Sequence, residues 1–113
     1  MISDGQQKSK DLLIRINDQY KRVRLDEIYY LQSEGKYVTV HIENRNFSIR
    51  TSLKKIEEIL SYNFVRTHSS FIVNIDKVNS IRNRDNTIVL TNDVELSFSR
   101  TYKEDVLQHF HLG

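Results

Sequence analysis

Three polar turns carry the side chains of this chain that could grip an anion or read a hydrogen-bonding edge. They are Ser33-Glu34-Gly35-Lys36-Tyr37, Arg66-Thr67-His68-Ser69-Ser70 and Ser97-Phe98-Ser99-Arg100-Thr101. Each borders apolar residues that would hold it still, and a polar loop anchored by strands presents side chains to a partner. Arg100 stands directly before Thr101, which opens a T-x-x-E capping box with Glu104. A helix start favours an anion, and a neighbouring guanidinium can add two parallel donors to a phosphate or to guanine. Taken one at a time, each signal is weak, since a solvated Lys or Arg is the commoner explanation.

Other chemistries find less support. The histidines are His41, His68, His109 and His111, and the chain has no cysteine. His109 and His111 lie two apart near the chain end, a poor chelate beside an i, i+4 pair, so no metal or cofactor is expected and a frayed, exposed end is the simpler reading. His68 adjoins Ser69 and Ser70, but strand neighbours point to opposite faces. No Gly-x-Ser-x-Gly elbow, orienting carboxylate or phosphate-cradling glycine loop accompanies them. The chain is not expected to be an enzyme.

The elements that must position these turns read as short strands. Leu12 to Ile16 and Tyr20 to Arg24 flank a turn at Asn17-Asp18-Gln19. Ile28 to Gln32 and Tyr37 to Ile42 flank the first polar turn, with Val38, Val40 and Ile42 alternating against Tyr37, Thr39 and His41. Asn44-Arg45 turns the chain into Phe47 to Arg50. Thr51-Ser52 signals a helix start, and Leu53, Ile56, Ile59 and Leu60 would share the buried face of a helix running to Leu60. In Phe64 to Asn74, FVRTHSSFIVN, two apolar blocks enclose the second turn. Val78 to Ile81, Ile88 to Leu90 and a last strand with Val94, Leu96 and Phe98 on one face follow, and Arg82 to Asn86 is a polar loop. A second helix runs to about Phe110 with Tyr102, Val106 and Phe110 at four-residue spacing. The fold is therefore mainly β with two short helices, neither stable without packing on the sheets. No consecutive helix pair suits a helix-turn-helix reader.

At 113 residues the chain fits one domain with its own core. Residues 1–10 are polar and aperiodic, a flexible arm or linker before a domain over 11–113. No apolar run could span a membrane, no signal-peptide core is visible, and the lack of cysteine fits a reducing cytoplasm. A net charge of +2 permits nucleic-acid binding without requiring it.

In order, IYYLQSEGKYVTVHI at 28–42, SIRTSLKKIEEIL at 48–60, FVRTHSSFIVNIDKV at 64–78 and LSFSRTYKEDV at 96–106 resemble the LytTR family. That family supplies the DNA-binding domain of many bacterial response regulators in two-component systems. The resemblance covers nearly everything from residue 12 onward. It implies an elongated, mainly β arrangement of short sheets whose loops read successive major grooves of double-stranded DNA. It carries the base-contacting positions onto Lys36, Ser69 and Arg100. Many relatives have Arg or Asn where Ser69 stands, and a serine reaches less far. Tyr37, Arg45, Arg84, Thr101 and Lys103 are lesser candidates, for backbone contacts, while Arg66 and His68 read as internal supports. Repeated half-sites and a homodimer on DNA are also implied. With a domain over 11–113, the acidic phosphoacceptor pocket of a receiver is not expected within these 113 residues. The reading from a different class is a protein-interaction or sensory β module that does not bind DNA.

Overall fold

The computed structural model describes residues 11–111, so the arm expected at 1–10 lies outside the described residues. Apolar alternation over five-residue or shorter stretches produces ten strands in three antiparallel sheets. β1 (Leu12–Ile16) and β2 (Gln19–Val23) form a hairpin. The central sheet has the order β5-β4-β3-β7-β6, from β3 (Tyr30–Glu34), β4 (Tyr37–His41), β5 (Asn46–Ile49), β6 (Phe64–His68) and β7 (Phe71–Asn74). The third sheet has the order β10-β9-β8, from β8 (Val78–Arg82), β9 (Thr87–Leu90) and β10 (Glu95–Ser97). Helices α1 (Leu53–Glu57) and α2 (Lys103–Leu107) complete the fold. The whole is a slab of 47 × 39 × 24 Å.

The central sheet is buried on two sides, because its strands alternate between two cores. Leu31, Val38, Val40, Phe64 and Ile72 meet the β1–β2 hairpin and α1 through Leu12, Ile14, Val23, Leu53 and Ile56. Val65 and Val73 face the third sheet and α2 through Ile88, Leu90, Leu96, Phe98 and Val106. Consecutive residues of FVRTHSSFIVN thus serve opposite cores, and this pins the strand register, since a one-residue slip would exchange every side chain between them.

Buried Asn74 closes this segment. Its Nδ2 donates to the Ile28 carbonyl at 2.9 Å. Its Oδ1 accepts from the Asp76 amide and from Asn63 Nδ2, both at 3.0 Å. The side chain caps the 3-10 turn Ile75–Lys77, through which the chain leaves the central sheet.

Local expectations fail at both helices, and the second ends at Leu107 instead of near Phe110. The first helix ends at Glu57, not Leu60, and Ile59 is 52% exposed while Leu60 remains buried. The chain turns after Glu58, so the helical period that would carry Ile59 inward no longer applies. The T-x-x-E capping box does not form either. Ser99 is the cap, its Oγ accepting from the Thr101 amide at 3.1 Å, and Arg100–Tyr102 form a 3-10 turn ahead of α2. Thr101 lies inside that turn, where its hydroxyl cannot cap α2, and Tyr102 takes the capping position with no side-chain bond. His109, expected in a frayed end, is tied down: its Nδ1 lies 2.8 Å from the Asp105 carbonyl and its Nε2 3.2 Å from that of Tyr62.

Candidate nucleic-acid interface

The β3–β4 hairpin pairs Glu34 with Tyr37, leaving Gly35-Lys36 as a two-residue tip. Gly35 sits at φ +62°, the left-handed region that costs a side-chain-bearing residue about 1–2 kcal/mol. Nothing lies within 4 Å of where its Cβ would be, so backbone conformation alone calls for glycine. The tip is braced from inside the sheet: nearly buried Thr39 donates through Oγ1 to Glu34 Oε1 at 2.5 Å. Lys36 itself is exposed and takes part in no side-chain hydrogen bond among the described residues.

The second tip, Ser69-Ser70, joins β6 to β7. The Ser33 amide donates to the Ser70 carbonyl at 3.0 Å, which places this tip beside the first. Arg66 is its brace. Its Nε donates to the His68 carbonyl at 3.1 Å, one terminal nitrogen to the Ser69 carbonyl at 3.0 Å and the other to Glu57 Oε1 of α1 at 3.2 Å. One planar fork therefore ties the turn to the helix, a task that guanidinium geometry performs and a lysine cannot. His68 Nδ1 accepts from the Ser70 amide at 3.0 Å, and its ring rests against Phe71. Arg66 and His68 are internal partners of the turn, and the Ser69 side chain is left exposed.

A bulge in β6 between Arg66 and His68 admits the third turn. The unpaired residue, Thr67, offers its carbonyl to the Ser99 amide at 2.9 Å. Bulges commonly end pairing and re-aim the chain beside functional surfaces. Arg100, next in the chain, is exposed and makes no ion pair among the described residues. The structure thus lines up Lys36, Ser69 and Arg100, distant in sequence, along one end of the central sheet.

The lesser candidates divide. Tyr37 is 45% exposed at the first tip, and Thr101 is exposed in the third turn. The β8–β9 turn bearing exposed Arg84 is tied to the third turn by Phe98 N–H to the Asn86 carbonyl and by Lys103 Nζ to Asn83 Oδ1 at 2.5 Å. Lys103 is therefore engaged with the protein. Arg45 is elsewhere, in the β4–β5 turn at the opposite end of β4, with its guanidinium 5.7 Å from the centre of the Phe47 ring.

Three further cations adjoin the first two tips. Arg50, Lys54 and Lys55 line an open cleft of about 550 Å³ together with Lys36, Arg66 and Ser69. From sequence, Lys54 and Lys55 are only the solvated face of a helix and Arg50 a strand end. No spacing signal links them to residue 36, because β5 brings Arg50 there by pairing with β4.

Residues 18–111 match the family model of the LytTr DNA-binding domain. The chain is 28% identical over 110 residues to the sensory transduction protein LytT of Enterococcus faecalis, covering 94% of this chain and 46% of that protein. It is 25% identical over 112 residues to the LytT protein of Bacillus subtilis, covering 96% and 45%. The chain thus spans a little under half the length of these relatives. Among solved structures, the LytTr DNA-binding domain of a methyl-accepting/DNA response regulator from Bacillus cereus superposes with a TM-score of 0.75 at 24% identity, over 87% of this chain and 94% of that one. At that identity the likeness concerns the fold.

Proposed function

The chain belongs to the LytTR family of DNA-binding domains, and from that membership we propose that it binds double-stranded DNA sequence-specifically as the DNA-reading part of a bacterial transcriptional regulator. The observation that carries the reading is the alignment of three exposed turns along one sheet end, held by Ser33 to Ser70 and Ser99 to Thr67. Arg100 is assigned to base edges, Lys36 to base or phosphate and Ser69 to a short-range contact. Tyr37, Arg84, Thr101 and Lys103 border the row as backbone contacts, and Arg45 stands apart from it.

The row is wider than a single major groove. The first and third turns are separated by three to four strand spacings, roughly 17 Å. The major groove is about 12 Å wide. The row therefore reaches past the edge of one major groove, with Ser69 between the outer turns, and spans about half of the roughly 34 Å to the next. Such a row presents side chains from rigid strand ends, as a recognition helix does in other readers. Repeated half-sites read by two copies extend the same proposal.

The test begins with the purified chain and random-sequence duplex at low and moderate salt. The expected result is weak binding that falls steeply with salt. Selection of bound duplexes from a random pool then yields the site and the spacing of any repeat. Absence of binding at low salt would overturn the reading and favour the protein-interaction module.

A further inference from the structure

We propose that the DNA-binding surface continues beyond the three turns into the cleft between the β3–β4 tip and α1, where Arg50, Lys54 and Lys55 join Lys36 to hold the phosphate backbone flanking the bases that are read. The inference rests on the DNA-binding reading above and adds a backbone track to it. The observation behind it is uncompensated charge. Five cations, Lys36, Arg50, Lys54, Lys55 and Arg66, line the cleft, and no carboxylate is among its lining residues. Of these only Arg66 is in an ion pair among the described residues, with Glu57. The nearby Glu34 carboxylate accepts from Thr39, keeps its charge, and is in no ion pair among the described residues.

The basic cluster at the opposite end of the sheet has a different balance. There Lys21, Arg22, Arg24 and Arg45 share a hollow with Glu27. Arg22 is paired with Asp11 at 2.7 Å and Arg24 with Asp26 at 2.9 Å. Arg82, at the third sheet, is likewise held by Asp85 and Glu95, both at 3.1 Å. Among the described residues, Arg22, Arg24 and Arg82 thus meet their counter-charge within the protein, leaving Lys21 and Arg45 unpaired beside Glu27 in that hollow, whereas four cations beside the first two tips share a cleft that no carboxylate lines. A concave surface lined with one sign of charge concentrates its field on a polyanion. Lysine suits this task, since phosphate contacts need charge and reach but no base discrimination. Ser69, also in the lining, makes the track continuous with the second reading turn.

The discriminating experiment measures affinity for a random-sequence duplex of about 30 base pairs across a salt series, comparing the parent chain with Lys54→Gln/Lys55→Gln. Both residues are exposed, and glutamine is a good helix former, so α1 is retained. Each phosphate contact contributes about 0.9 to the slope of log affinity against log salt. The double variant should therefore flatten that slope by about 2 and weaken binding on the order of 10–100-fold near 0.1 M salt. Lys54→Arg/Lys55→Arg should keep the parent slope. Lys21→Gln/Arg45→Gln, which removes the same charge at the other end of the sheet, should leave the slope nearly unchanged. If the parent binds and the Lys54/Lys55 variant keeps its slope, or if both neutralised pairs flatten it equally, the cleft is not a phosphate track. If the parent fails to bind duplex at all, the DNA-binding reading falls and the track with it.

Discussion

At the scale of single residues, exposure and partnering separate the readers from their supports. Arg66 and His68 are polar, next to Ser69 and consumed by the turn they stabilise. Arg100 and Lys36 have no such ties among the described residues. Arg100→Ala should therefore leave the fold intact and lose about 1–3 kcal/mol on the selected site, with relaxed preference at one base position. Competition between the selected duplex and its single-base variants checks this; unchanged discrimination would remove Arg100 from base readout. For Lys36→Ala the expected change is a salt slope shallower by about 1, measured on selected and random duplexes alike. A loss confined to the selected duplex would instead make Lys36 a base reader. The types of these residues are legible from sequence. Their freedom is not, because whether an arginine faces solvent or a carboxylate depends on which strand comes to lie beside it.

At the scale of elements, the turns work only if their hairpins keep register. Gly35 holds the first tip in a left-handed conformation. Gly35→Val should cost about 1–2 kcal/mol and weaken DNA binding, whereas Gly35→Asn, better tolerated at positive φ, should be milder in both. Equal thermal midpoints for the two variants would show that the tip relaxes freely. Asn74 holds the far end of β7 through its bonds to Ile28, Asn63 and Asp76. Asn74→Ala leaves buried groups unpaired and should lower unfolding free energy by about 2–3 kcal/mol in urea titrations. The strand alternation of FVRTHSSFIVN was readable in advance. The end of α1 and the cap of α2 were not. Ile59 keeps a helical period that the backbone abandons, and Ser99 takes the capping role because the 3-10 turn precedes α2.

For the molecule as a whole, stability should depend on pH in two windows. His41 stacks on Tyr30 with ring centres 4.1 Å apart, and its Nε2 is buried without a hydrogen-bond partner among the described residues. Burial lowers its pKa from the ordinary histidine value, outweighing the opposite pull of Glu34. The folded chain thus resists a proton that the unfolded chain accepts below about pH 6.5. Stability should fall as pH drops from about 7 towards the folded value and level off beneath it. Urea midpoints at about pH 7 and about pH 5.5 should differ in the parent and differ less in His41→Asn. A second loss belongs to lower pH. Asp11 is held below the usual carboxylate range by Arg22, and Asp85 and Glu95 by Arg82. Their support is present above the unfolded carboxylate values and disappears as pH falls through the folded ones. These three pairs are solvent-exposed, so the second effect should be small and screened by salt.

By itself the sequence determined what depends on neighbours along the chain. That includes the mainly β character, most strand and turn positions, the family through four ordered motifs, and the residue types able to meet DNA. Alternation and turn chemistry act within a few residues, so they survive in one dimension. Only the tertiary structure decided which candidates share a surface. It set Lys36, Ser69 and Arg100 in one row through the pairing of β3 with β7 and the bulge in β6. It sent Arg45 to the opposite sheet end and brought Arg50, Lys54 and Lys55 to the first tip. The reason is that adjacency across a sheet is settled by long-range hydrogen bonding and by which face each core buries, neither of which leaves a mark at fixed spacing in the chain.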